Sequence, residues 1–284
     1  HGHEEADTLI PLHVLDSLKE NSFKELHVRC SDTDVFVLLI DLVSNNHLGP
    51  QTRLILLTGV AAKYREIDIR QRVETLGVPK SQGLIGIHNF SGADWGGKFV
   101  GISKKTWVQT YLSLDDDDIV ECFKKLGGID LSEFQMKDLC YLTQEFHGLE
   151  RFFCMSYSSN NGPFTLSSLR WEMFRSKNLQ EELLPPTRAT LFPNILRTNY
   201  VCTQDKSYFY SKPALPKLEG NGWHLKDDKF EQKLKALMTG LNISAHIMIC
   251  WFINTQCLNI SRQMKIVLKI CICICYNFRE IVFI

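Results

Sequence analysis

Asp32 and Asp34 stand one residue apart in "CSDTDVFVLLIDL", just before a long apolar run. Upstream, "HEEADT" gathers Glu4, Glu5 and Asp7 into one short acidic stretch. Downstream, "FSGADW" supplies Asp94 close to Gly92. Carboxylates brought to one point repel each other unless a cation lies between them. Mg2+ and Mn2+ suit such a site, because both prefer hard oxygen donors and keep several waters. Two such ions about 4 Å apart form a clamp for phosphodiester cleavage, one activating water and the other stabilising the leaving oxygen.

The elements around these residues decide whether they can meet. "LHVRC" (26–30) alternates and reads as a strand. "VFVLLIDLV" (35–43) is too apolar for a half-exposed strand; it fits either a doubly covered strand or a buried helix. The helix is preferred, because it leaves Asp32 and Asp34 in the loop at the carboxyl end of "LHVRC", where open α/β sheets place ligands. Ser31, Asp32 and Thr33 also read as an N-cap and first turn, a role compatible with metal binding. Asp7 lies near the start of a helix over residues 3–20, where Pro11 is tolerated only near the first turn.

Further along, "RLILLTG" (53–59) reads as a strand, and residues 62–77 as a strand or turn followed by a helix that Gly77 ends. "GLIGI" (83–87) resembles a strand leading to Asp94. Strands alternating with helices imply an α/β layered fold with a mostly parallel sheet. From about residue 115 helices dominate. One begins at the Asp115–Asp118 run, a solvated helix start without the Gly and distal Glu of a calcium loop. A second runs from the capping pair Ser132 and Gln135 to Gly148. A third occupies residues 165–186, and a fourth, over 188–201, is interrupted by Pro193. Residues 211–240 form an extended Pro/Gly segment.

The chain has 284 residues, with 32 basic and 32 acidic side chains and no formal net charge. A neutral balance excludes broad electrostatic coating of nucleic acid and leaves room for a local basic patch. Cys30, Cys122, Cys140, Cys154 and Cys202 are single and far apart, which gives zinc little support and suits a reducing compartment. His1 and His3 with Glu4 could bind a metal at a free terminus; the plain alternative is a flexible end, the more common fate of a His so placed. The polar, acidic start is no signal peptide, and the missing initial Met suggests a processed product or a fragment. Residues 241–284 are rich in Ile, Asn, Cys and Lys and lack helix caps. Their apolar stretches are too short for a membrane helix, so no membrane partner is expected. This tail is expected not to be natively structured, and the "NIS" sites at Asn242 and Asn259 to go unused.

"HEEADT", "SDTDVFVLL" and "GIHNFSGADWGGKFVGISKKTW", in that order, resemble the acidic motifs of the PIN-like nucleases of the flap-endonuclease-like branch. The likeness is nearest to uncharacterised transposon-derived animal proteins that carry HEEADT, SPDTDV and GCDTT motifs. It covers residues 1 to about 112. It extends loosely to about 235 through "LLPPTRATLFPNILRTNYV" and "LPKLEGNGWHLKDDKF". The chain departs from the pattern at Ala93, Trp95 and Ser103, and the family's first strand with its aspartate would lie upstream of residue 1.

The resemblance implies a PIN-like three-layer α/β fold lacking its first strand (1–112), followed by a helical region (113–210). It implies a metal-dependent nuclease acting on structured DNA or RNA, with a two-metal Mg2+ or Mn2+ site. Glu5, Asp7, Asp32, Asp34 and Asp94 would be the metal ligands, with Glu4 an adjacent candidate. Asp32, Asp34 and Asp94 would serve catalysis. "FVGISKKTW" matches the family's helix–turn–helix element, making Lys98, Lys104 and Lys105 phosphate contacts; the plain alternative is a solvated helix start. An intracellular, nuclear location follows from the resemblance alone. The competing expectation is an inactive relic kept as a nucleic-acid or protein binding module.

Overall fold

The computed structural model describes residues 6–20, 23–92, 99, 101–129, 144–158, 162, 164–177, 183–226 and 229–232. All of them fall in one unit, His1–Lys235; the second unit, Ala236–Ile284, and with it the atypical tail, lies outside the described residues.

A β–α–β unit forms the frame. Strand β1 (Glu25–Arg29) pairs in parallel with β2 (Arg53–Thr58), and helix α2 (Thr33–Ser44) is the crossover between them. Parallel neighbours require such a crossover. β1 alternates, with Val28 buried and Glu25, His27 and Arg29 exposed, so one face meets the core. α2 is the buried helix, with Val35, Leu38, Leu39, Ile40, Leu42 and Val43 all enclosed. It is apolar almost all round because helices flank it on several sides: α1 (Ala6–Glu20), α3 (Ile69–Leu76), α4 (Val78–Gln82) and α5 (Leu84–Phe90). α1 carries Pro11 inside it rather than in its first turn.

The sheet has order β1-β2-β3 and is mixed rather than mostly parallel. β3 (Arg65–Asp68) runs antiparallel to β2. The connection over residues 59–64 is too short for a crossover and turns back on itself, with φ of 79° at Gly59 and 48° at Ala61. α3 follows β3 directly, capped by Asp68, whose side chain accepts from the Gln71 N–H at 3.2 Å.

"GLIGI" is not a strand. It forms most of α5, whose every residue is buried. A short apolar run does not distinguish a central strand from an enclosed helix; here α2, α10 (Arg188–Lys206) and α7 (Asp117–Lys125) surround it. Gly86 lets α7 approach: a Cβ there would lie 2.3 Å from the Phe123 carbonyl oxygen.

Asp116 caps α7 as the acidic run implied, accepting from the Ile119 N–H at 3.2 Å. The expected stop at Gly148 is displaced. α8 (Gln144–Tyr157) runs through that glycine, where a Cβ would meet Cys122 Sγ at 2.3 Å. Gly148 therefore serves close packing of α7 on α8. Its proposed caps Ser132 and Gln135, like Cys140, lie outside the described residues. α9 spans Leu166–Lys177. α10 is one helix of 19 residues that continues through Pro193 and is buried from Leu191 to Cys202.

One apolar core extends from Val14 to Tyr208. At its centre Phe90 meets Trp107 of α6 (Lys104–Leu112) edge-on, with ring centroids 5.6 Å apart, and Phe123 at 5.5 Å. Helices on both sides of residue 112 thus fill the same interior. Glu150 ties α8 to its neighbours: its carboxylate accepts from Arg188 at 2.6 and 2.7 Å and from the Leu166 N–H at 3.0 Å. After α10 the chain runs irregularly to a hairpin, β4 (Trp223–Lys226) with β5 (Lys229–Gln232), replacing the end of the expected extended segment.

Cys30, Cys122, Cys154 and Cys202 are free thiols. Burial pushes Cys122 up to about 11 and Cys154 and Cys202 up to about 12, so they pack as apolar groups. Among the described residues no helix is long and apolar enough to cross a membrane.

Candidate metal centre

Asp32 and Asp34 occupy the junction of β1 and α2, at the carboxyl end of a parallel strand. Asp32 is the N-cap of α2 and accepts from the Asp34 N–H at 3.0 Å. Asp34 lies in the first turn of α2 and Asp7 in the first turn of α1. Helix amino ends favour negative charge, so both carboxylates sit where backbone dipoles assist them. The two helices pack together. As a result one oxygen from each of Asp7, Asp32 and Asp34 lies within 4.8 Å of the other two. Asp32 is exposed, while Asp7 and Asp34 are half-buried.

Asp34 is held from the other side by α5. Its Oδ1 lies 2.8 Å from His88 Nε2, and Thr33 Oγ1 donates to the same oxygen at 3.4 Å. The hydrogen bond from His88 holds the Asp34 carboxyl below its ordinary value, aided by the charge of Lys104; burial opposes the shift without reversing it. Lys104 Nζ donates to the Gly92 carbonyl at 3.1 Å and stands 3.4 Å from His88 Nε2.

A small cleft of about 20 Å3 lies beside these groups. Asp7, Thr8 and Asp34 line one part of it and Ile85 and His88 another, with Asp205 of α10 on the wall. Asp205 Oδ2 accepts from Asn89 Nδ2 at 2.6 Å. Consecutive residues of α5, His88 and Asn89, therefore each hold a carboxylate of this cleft.

Three of the expected ligands, Asp7, Asp32 and Asp34, are thus brought together. Glu4, Glu5 and Asp94 lie outside the described residues, as do Lys98, His1 and His3. Lys104 opens α6 with its ammonium turned towards His88, and Lys105 beside it is exposed. Ser103 caps this helix, accepting from the Thr106 N–H at 3.1 Å, after Gly101 at φ 86°.

His88, Asn89 and Asp205 were not among the sequence candidates. His88 lies inside the quoted "GIHNF", but a strand reading hides its spacing. Only the helical period sets Ile85 and His88 on one face, towards the cleft. No local pattern points to Asp205, which arrives through long-range packing of α10 on α5.

The donor set is three carboxylates, all hard oxygen. It fits Mg2+ or Mn2+ and suits neither zinc nor copper, which favour sulfur and nitrogen. Its negative charge is only partly balanced by the neighbouring Lys104. Comparison of the chain with protein-family models, with curated proteins and with solved structures finds no match.

Proposed function

We propose that this chain is a PIN-like, divalent-metal-dependent nuclease domain that hydrolyses phosphodiesters in structured DNA or RNA. The observation that carries the reading is the meeting of Asp7 with Asp32 and Asp34. "HEEADT" and "SDTDV" are separate in sequence, yet their carboxylate oxygens lie within 4.8 Å of one another. The order of the motifs supplies the nuclease assignment.

Asp7, Asp32 and Asp34 would hold the cation, with Asp94 and Glu5 the further ligands that the motif pattern implies. A bound Mg2+ or Mn2+ supplies Lewis acidity and a more acidic water. The chain's own residues do the rest. The carboxylates fix the charge at the mouth of the cleft, Lys104 and Lys105 draw the phosphate backbone towards it, and His88 keeps Asp34 in place.

A cleavage assay tests the reading on flapped, nicked and single-stranded DNA and on structured RNA, with Mn2+. The informative variant is Asp32→Asn, because Asn caps a helix as well as Asp does. It removes the charge and leaves α2 intact. Cleavage by the wild type that falls to background in Asp32→Asn is the expected result. Nucleic-acid binding without cleavage by the wild type would favour the binding-module alternative.

A further inference from the structure

Helix α5 carries a histidine to which the motif resemblance assigns no role. His88 is 8% exposed, packed where α5 faces α2, and its Nε2 is 2.8 Å from Asp34 Oδ1. An ionised carboxylate only accepts, so the proton must be on Nε2 and the ring donates. Lys104 Nζ, 3.4 Å from the same nitrogen, is also a donor. It therefore contributes charge at that point, not a hydrogen bond.

We infer that His88 is a positioning residue of the cation site: its Nε2–H fixes the Asp34 carboxylate so that the remaining lone pairs face the cation held with Asp7 and Asp32. The inference rests on the cation-site reading above. An aspartate in the first turn of a helix can rotate about both side-chain bonds. Engaging Oδ1 from a buried ring stops that rotation before the cation arrives. The ring is itself largely buried, and Val37, Leu38 and Ile85 line the same cleft. Partners of metal ligands that act in this way typically contribute 10–100-fold in affinity. Asn89 holds Asp205 from the adjacent position of the same helix, so α5 sets the carboxylates of the cleft from α2 and α10 alike.

The test is Mn2+ affinity, read from the electron paramagnetic resonance of free Mn2+, with the thermal midpoint measured without metal as a control for folding. His88→Leu removes the donor and should weaken Mn2+ binding by about 10–100-fold while a cooperative metal-free transition shows that the variant still folds. His88→Gln, whose amide nitrogen can stand near the Nε2 position, should recover most of the affinity. His88→Asn, whose nitrogen sits near the Nδ1 position, should not. Should His88→Leu fail to fold, the Gln–Asn pair decides: a difference between them supports the inference and equal affinities overturn it. Wild-type affinity in His88→Leu would overturn the inference and leave the cation site standing. No Mn2+ binding by the wild type would overturn both.

Discussion

The Tyr208 hydroxyl donates to Asp41 Oδ2 at 3.1 Å, joining α2 to the turn that follows α10 inside the core. Asp41 is 2% exposed and lies on the same helix as Asp34, towards the opposite end. This bond and the neighbouring Asn45 amide, 3.0 Å from Oδ1, satisfy a carboxyl that burial would otherwise penalise.

Burial raises the Asp41 carboxyl above its ordinary 3.8; Lys206, Tyr208, His47 and Asn45 pull the other way without cancelling it. A folded-state value above the unfolded one contributes stability that is fully present below about pH 3.8 and is lost as pH rises through the folded value. Asp41→Asn removes that loss. Its stability relative to the wild type should therefore rise between acid and neutral pH. Urea denaturation of both proteins at several pH values checks this; parallel pH curves would contradict it.

Glu150 is 1% exposed and is bound by Arg188 and the Leu166 N–H. Arg188→Met leaves a buried carboxylate without its cation and should cost about 3–5 kcal/mol. Replacing both residues by Met should recover only part of this. The Leu166 N–H would still lack an acceptor, at about 1–3 kcal/mol. Denaturant midpoints of the single and double variants measure both effects.

Gly86 and Gly148 bring α7 against two different helices, so their alanine variants should behave differently. At Gly86 the obstacle is backbone, the Phe123 carbonyl. Gly86→Ala should destabilise by about 1–3 kcal/mol, and no side-chain change at position 123 should rescue it. At Gly148 the obstacle is the Cys122 side chain, with Sγ at 2.3 Å and Cβ at 3.4 Å. Gly148→Ala should be destabilising alone and substantially rescued by Cys122→Ala. A double-mutant cycle by thermal unfolding reads the coupling.

The β1–loop–α2 unit was legible in the sequence because its signals are local. "LHVRC" alternates, Asp32 is a good cap, and the apolar run is long enough to fill a crossover helix. Asp7 could be grouped with Asp32 and Asp34 only as one of several acidic stretches, since nothing local shows that they meet; the structure brings the three together. The strand reading of "GLIGI" failed because so short an apolar run has no period of its own; enclosure by α2, α7 and α10 made it helical. Gly148 looked like a stop signal because its packing partner, Cys122, is invisible from neighbouring residues. For the same reason Asp205 and the Asp41–Tyr208 pair could not be read before the fold was known. The antiparallel β3 was hidden by an ambiguous stretch, since a strand so short carries little alternation.

The central claim is that Asp7, Asp32 and Asp34 hold a divalent cation. Equilibrium dialysis of the purified chain against Mn2+ tests it most directly, comparing wild type with an Asp32→Asn, Asp34→Asn double variant. Saturable Mn2+ binding by the wild type that is lost in the double variant, with Ca2+-free buffer and an unchanged fold by circular dichroism, is the expected result. Equal binding by the two proteins, or none by the wild type, would contradict it.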